Sequence, residues 1–496
     1  MKLLKSLICT AMCLSLPVLA TDFSAVEKII NDTKAAAKFP SGTSIAVVKD
    51  DKIIYRGNFG YADIAKKEPV TSDTSFYIAS VTKPYFALSM LLKEHEGQIS
   101  ESTSMATLFP EVSFPKFDAS KITVKHLLGH TMGIDNNPLV MATAYTGLHD
   151  ADIRKKLVAA SYPNEKSPLD SYDYSNVGYN ILSVWSDRAD KKPWQSMLQD
   201  TVLKPLKTNR SSTVISDAKR NNWQLATPNS VYSGIDNPPY LRKQDNTMHS
   251  AGGMISSSLD MANFIKVQLS SGKLDGKQVF PKSVIEKSQQ PIAKVGSNYR
   301  DFQRDNYAWG WNIGPYLNEK LYHHFGGYSG MHSHLSFMPE QGIGVVILNN
   351  DDMLASKLTN IVSKAIYATL LNKSDEVAKA QVAALELQQQ MQKFPARMKQ
   401  HTEKMAARKW QLTLLESAYL GGFYNEFLGE LVVSQTKDNK FFVSLGQLHA
   451  TATPYKTSDA MRVELIPNRG EPIRFNIKDG KVPSLIYDDA IFKRIK

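Results

Sequence analysis

The sequence predicts an α/β (α+β) fold: one antiparallel sheet flanked by helices, with an all-helical insertion, followed by a small C-terminal all-β domain. Three observations predict it. A hairpin pattern opens the chain, and a second hairpin pattern recurs near residue 340 with helix and loop signals between them. Residues 411–496 alternate short strand-like runs with turns.

Taken in order, residues 23–38 read as a short helix. Residues 43–48 and 52–59 are strand-like around Asp50-Asp51. Residues 332–338 and 343–348 form the second hairpin, around Pro339-Glu340-Gln341-Gly342, and residues 353–371 carry a helical pattern. If the first and last of these strands pair, they close one sheet interrupted by the helical insertion. Residues 373–410 are rich in Ala, Gln, Lys and Met and read as a solvated helical linker broken at Pro395. Beyond them, residues 430–433, 441–445, 461–466 and 473–477 read as strands of a small barrel or sandwich. The expected organisation is a leader at 1–20, a main domain at 21–372, the linker at 373–410 and the β domain at 411–496.

The composition is that of an ordinary globular chain, 42% hydrophobic and 22% charged, which excludes a mainly disordered or fibrous protein. Lys2 and Lys5 precede a short apolar run that ends in Val18-Leu19-Ala20. This is the pattern of a secretory signal cut after Ala20, so the expected location is secreted or periplasmic. The apolar run is too short to span a bilayer comfortably, and no later stretch is apolar enough to do so. Both cysteines, Cys9 and Cys13, fall within the leader. The processed chain is therefore expected to lack disulfides, thiol catalysis and zinc–thiolate sites. The net charge of +11 accompanies no zinc finger, RNA-binding signature or arginine-rich run. Scattered surface lysine accounts for it, and no nucleic-acid partner is expected.

Three short elements carry the chemistry. The first is Ser80-Val81-Thr82-Lys83, at the start of a predicted helix. One helical turn separates Ser80 from Lys83 and puts them on the same face. A serine hydroxyl needs a base to become a nucleophile, and a buried lysine of lowered pKa can serve. The second is Tyr174-Ser175-Asn176, a tyrosine able to act as general base and an amide able to contact both lysine and substrate. The third is His324-Phe325-Gly326-Gly327, where glycines let a substrate approach a strand edge. The backbone N–H groups of Ser80 and Gly327 are candidates for an oxyanion hole. Each element alone is weak: Ser-x-x-Lys also occurs at Ser113–Lys116 and Tyr-x-Asn at Tyr162–Asn164.

Order and context raise the signal. The three elements, in this order, resemble those of the serine β-lactamase and penicillin-binding-protein superfamily, in its class C, DD-peptidase and related esterase branch. Residues 122–133, 174–182, 251–256 and 307–311 also look like the family, and the resemblance spans roughly residues 23–372. It implies the β-lactamase/transpeptidase-like fold and acyl transfer without cofactor or metal. Ser80 is then the nucleophile, Lys83 and Tyr174 shuttle the proton, and Asn176, His324, Gly326 and Gly327 line the substrate and oxyanion site. The implied substrate is a small molecule or peptide, with peptidoglycan-derived peptides among the candidates.

Two departures bear on specificity. His324 stands where the family usually has lysine, and Phe325 stands where it usually has a hydroxyl that helps hold a carboxylate. Esters and uncharged amides are therefore expected ahead of β-lactams. Gly-x-Ser-x-Gly is absent, which disfavours a nucleophile-elbow hydrolase. His323, His324, His332 and His334 cluster in sequence, but without His-Glu-x-x-His they read as packing and substrate contacts rather than metal ligands. The alternative to an enzyme is a non-catalytic sensor or scaffold on the same fold.

Overall fold

The computed structural model describes residues 21–495, so the expected leader and its two cysteines lie outside the described residues. Eight strands form the main sheet: β1 (Thr43–Lys49), β2 (Lys52–Phe59), β3 (Ala293–Tyr299), β4 (Phe302–Tyr307), β5 (Asn312–Tyr316), β6 (Glu319–Tyr328), β7 (Met331–Met338) and β8 (Ile343–Asn349). Their order is β3-β4-β5-β6-β7-β8-β1-β2, antiparallel throughout. The first hairpin does pair with the last, with Thr43 opposite Asn349 and Lys49 opposite Ile343.

Helices cover both faces, which is why β1 and β8 read as apolar runs rather than alternating ones. Ala46 and Val48 of β1 face one core with Val346 and Leu348, whereas Ile45 and Val47 face the other with Val345 and Ile347. The second core is closed by α1 (Ser24–Ala37), α6 (Met353–Leu370) and α7 (Ser374–Ala406). The first core receives the central helices: α2 (Thr82–His95), α3 (Val124–Gly129), α4 (Val177–Ala189) and α5 (Ser258–Leu269).

Two expectations need correction. Helix α7 runs through Pro395 instead of breaking there, and it buries Ala380, Ala384, Leu387 and Met391 against α1 and α6. Those four are three to four residues apart, so an apolar stripe fastens an otherwise polar helix. The segment between the two hairpins, expected as helix and loop, also contains β3 to β6. These strands are hard to read: β3 is mostly exposed, and β5 contains Gly314 and Pro315.

Nine strands between Gly421 and Arg494 form the second sheet. Its first strand pairs with its last, and its two edge strands, Leu448–Thr451 and Thr453–Pro454, are consecutive in the chain, so the sheet nearly closes on itself. This domain packs on the helical half of the main domain. Gln447 Nε2 donates to the Tyr145 carbonyl at 2.6 Å, and Asn137 Nδ2 donates to Asp488 at 3.0 Å. No helix among the described residues is long and apolar enough to cross a membrane.

Candidate active site

Ser80 lies in a 3-10 turn, Ala79–Val81, that leads directly into α2. Ala79 has φ +47°, in the left-handed region that costs a non-glycine residue about 1–3 kcal/mol. This strained turn holds Ser80 in front of β6. Lys83 follows one turn later and is completely buried. Its Nζ lies 2.8 Å from Asn176 Oδ1, 2.8 Å from the Ala251 carbonyl and 3.3 Å from Ser80 Oγ. Burial alone lowers its pKa well below the ordinary lysine value, and no carboxylate opposes that shift. In the neutral amine, the two N–H groups go to the two carbonyl-type oxygens, which can only accept. The nitrogen lone pair is left for the Ser80 hydroxyl proton.

Asn176 is the residue before α4, yet its side chain does not cap that helix. It is given over to Lys83. The Tyr174 ring lies 4.7 Å from Lys83 Nζ. Tyr174 is 40% exposed at the cleft, but its surroundings desolvate the phenol and raise its pKa; the nearby Ser80 hydroxyl lowers it only in part. Burial thus favours the neutral phenol.

His324 is buried on β6, its ring centroid 6.0 Å from that of Tyr174. Its Nδ1 sits 2.8 Å from the Phe325 carbonyl, so Nδ1 carries the proton. Burial, with help from the Arg304 charge, keeps the ring neutral, and Nε2 is an unpartnered acceptor. Residues alternate across the strand. His324, Gly326 and Tyr328 therefore face the cleft, while Phe325 packs on the far face, 4.3 Å from His334 and 4.6 Å from Tyr299 between ring centroids.

Strand β5 pairs with β6 only as far as His323, so residues 324–328 pair with β7 alone. Their other edge faces the Ser80 turn. A Cβ on Gly326 would run into the Ile78 carbonyl oxygen and stand 3.1 Å from the Ser80 amide nitrogen. Ser333 Oγ, opposite Gly326 on β7, donates to that same carbonyl at 2.6 Å. Gly326 is thus the contact that sets the Ser80 amide against β6. At Gly327 a Cβ would meet nothing within 4 Å. Gly326→Ala is expected to destabilise the fold by about 1–3 kcal/mol through overpacking against backbone. Gly327→Ala is expected to melt within about 1 °C of the parent. Thermal denaturation of the two variants checks this contrast.

The structure thus brings all seven sequence-derived residues to one cleft. It also adds some that the sequence reading did not single out. His130, at the end of α3 with φ +61°, lies under Tyr174 at 4.6 Å between ring centroids, and its Nδ1 accepts the Ser175 N–H at 3.2 Å. The Ala251 carbonyl holds Lys83. Arg304, on β4, stands beside Tyr172 and Tyr174 with its guanidinium 4.6 Å from the Tyr299 ring centroid, its Nε unpartnered. Two of these had a faint signal in the family-like segments at 122–133 and 251–256; Arg304 had none. A Cβ on Gly178 would collide with the Leu127 carbonyl, so α3 and α4 touch backbone to backbone. The clustered His323, His332 and His334 lie on the opposite face of the sheet, buried and neutral. Among the described residues no group of three metal-ligating side chains gathers.

A Ser–Lys–Tyr cleft thus lies between the antiparallel sheet and the helical half. Residues 26–361 match the Beta-lactamase family over more than half of the chain, and the protein belongs to it. Protein flp of Staphylococcus aureus strain N315 is 24% identical over 356 residues, covering 70% of this chain and 68% of its own. The octameric penicillin-binding protein homologue from Pyrococcus abyssi superposes with a TM-score of 0.61 at 22% identity, covering 95% of this chain and 99% of that one. D-amino acid amidase from Ochrobactrum anthropi SV3 gives 0.54 at 20% identity, over 72% and 97%. The Pyrococcus likeness spans both domains; the amidase likeness covers a smaller part of this chain.

Proposed function

We propose that the protein is an exported serine hydrolase of the cell envelope that cleaves an ester or amide through an acyl-enzyme on Ser80. The observation that carries this reading is Lys83: a buried amine without a carboxylate partner, held by two acceptors so that its lone pair meets the serine hydroxyl.

In the acylation step, Ser80 Oγ bonds to the substrate carbonyl carbon as its proton passes to Lys83 Nζ. The carbonyl oxygen takes the negative charge and is met by the Ser80 and Gly327 amides. Collapse breaks the bond to the leaving group, which takes a proton relayed through the Tyr174 hydroxyl. Water then attacks the acyl-enzyme by the same path in reverse, releasing the acid and restoring the Ser80 O–H. Neutral His324 offers Nε2 as an acceptor for a substrate donor, not as a cation. Phe325, turned into the core, offers a carboxylate at the His324 end of the cleft nothing, which supports esters, and amides without a charge at that end, over β-lactams.

Incubation with benzylpenicillin, followed by intact mass and drug absorbance, separates the finer readings. Intact drug beside unmodified protein, with turnover of activated esters, is the expected result. A lasting adduct would instead identify a penicillin-binding peptidase, and rapid drug opening a β-lactamase.

The pH dependence has a definite sign. Acid protonates Lys83 and removes the acceptor, so kcat/KM is expected to rise with pH along a limb whose midpoint lies well below the ordinary lysine value. Tyr174, raised rather than lowered, stays protonated over that range. A profile that is highest in acid contradicts the assignment.

A further inference from the structure

A cavity of about 330 Å³ lies beside Tyr328, four residues along β6 from His324, and nothing in the mechanism uses it. Tyr77, three residues before Ser80, and Tyr328, directly after Gly327, both line it. Its walls are mostly apolar, with Leu225, Leu241 and Met331 among them, and no acidic residue lines it. Lys243 does. Lys243 is only 8% exposed, and no carboxylate offsets the desolvation of its amine. Its Nζ donates to the Ala144 carbonyl at 2.7 Å and the Thr247 carbonyl at 3.1 Å. Burial without a paired acid holds this amine, like that of Lys83, well below the ordinary lysine value; protonated by an entering acid it would have three donors, and the third meets no acceptor among the described residues. The Nζ also stands 4.2 Å from the Tyr328 ring centroid and 5.2 Å from that of Tyr77. The hydroxyls of Tyr328 and Ser329 are buried without partners. A buried amine without a paired acid and two idle hydroxyls, around an apolar space, leave a place for an acid that brings its own proton to Nζ.

The direction of the chemistry says which part of a substrate reaches this space. Lys83, Tyr174 and His324 sit at one end of residues 324–328, and the leaving group must lie beside the proton relay. The acyl part then runs the other way, past Gly327 towards Tyr328. We propose that the cavity is the acyl-side subsite and takes an acyl group whose apolar arm ends in a carboxylate, received by Lys243 Nζ and the Tyr328 and Ser329 hydroxyls. The proposal rests on the acyl-enzyme reading above and adds to it a class of acyl group. The small β domain supports the subsite from behind. Gln447 holds the backbone of Tyr145 and Thr146, next to the Ala144 carbonyl that anchors Lys243.

The test compares the mono-p-nitrophenyl ester of adipic acid with the same ester methylated on its free carboxyl, which keeps the arm and removes the charge. The full-length protein is expected to favour the charged ester by about tenfold or more in kcat/KM, the scale of one charge-assisted hydrogen bond to a buried group. Lys243→Met is expected to collapse that ratio. Tyr328→Phe keeps the ring over Lys243 and removes one hydroxyl, and it should lower the ratio in the same direction if the lysine variant does not fold. Turnover of both esters without preference by the parent protein overturns the subsite and leaves the acyl-enzyme reading standing. Turnover of neither ester, with no acyl adduct on Ser80, overturns both.

Discussion

Ser80→Ala is expected to abolish ester turnover, with a loss of at least about 10⁴-fold, because no other group in the cleft can form the acyl bond. Lys83, Tyr174 and the oxyanion amides remain in place in that variant, so whatever activity survives measures binding and polarisation alone. The fold is expected to hold. Ser80 Oγ has Lys83 Nζ at 3.3 Å as a long contact, and the lysine keeps its two shorter ones to Asn176 and Ala251. Steady-state turnover of p-nitrophenyl acetate and a thermal melt, measured on the same preparation, separate chemistry from folding. A sensor or scaffold on this fold would keep its function in Ser80→Ala; a hydrolase loses it.

Substitution of Lys83 carries the second largest effect and is more diagnostic of mechanism. Lys83→Met removes the proton acceptor and should lower kcat by about 10²–10⁴-fold, the range of general-base contributions. Lys83→Arg is the sharper probe. Arginine stays charged at all relevant pH and has no lone pair to offer, so it is expected to fail as badly as methionine although it supplies a positive charge. If the cation merely attracted substrate, arginine would restore much of the rate. The same burial that lowers the lysine pKa works against folding: between the folded and unfolded pKa values the unfolded chain binds the extra proton, so stability rises with pH across that window. Chemical denaturation of the parent protein at several pH values reads this slope, and it should be smaller in Lys83→Met.

Much of this site was legible in the sequence because its residues come from three local elements, each with a short spacing. Ser80 and Lys83 share a helix face, Tyr174 and Asn176 precede a helix, and His324 to Gly327 lie on one strand. What could not be read is what the elements do to one another across the cleft. The tyrosine pKa is raised because burial outweighs the serine contact. Phe325 does not front the cleft, because the strand period turns it into the opposite core. Arg304 and Lys243 lie far along the chain from any motif and carry no local signature; their meaning comes from the absence of a paired acid.

The fold divides along a similar line. Strands β1, β2, β7 and β8 were visible as hairpins with a strong apolar pattern, whereas β3 to β6 were hidden by polar and glycine-containing segments. Pro395 looked like a break from its local effect alone. The buried stripe from Ala380 to Met391 anchors α7 before the proline is reached, and tertiary packing decides the matter.

The most direct test of the central claim is to label the protein with a fluorophosphonate, which phosphonylates activated serines, and to map the adduct by peptide mass spectrometry. A single adduct on Ser80, lost in Lys83→Arg as well as in Ser80→Ala, is the result expected from a serine activated by a neutral lysine. Labelling of another serine, or labelling of Ser80 that persists undiminished in Lys83→Arg, would contradict it.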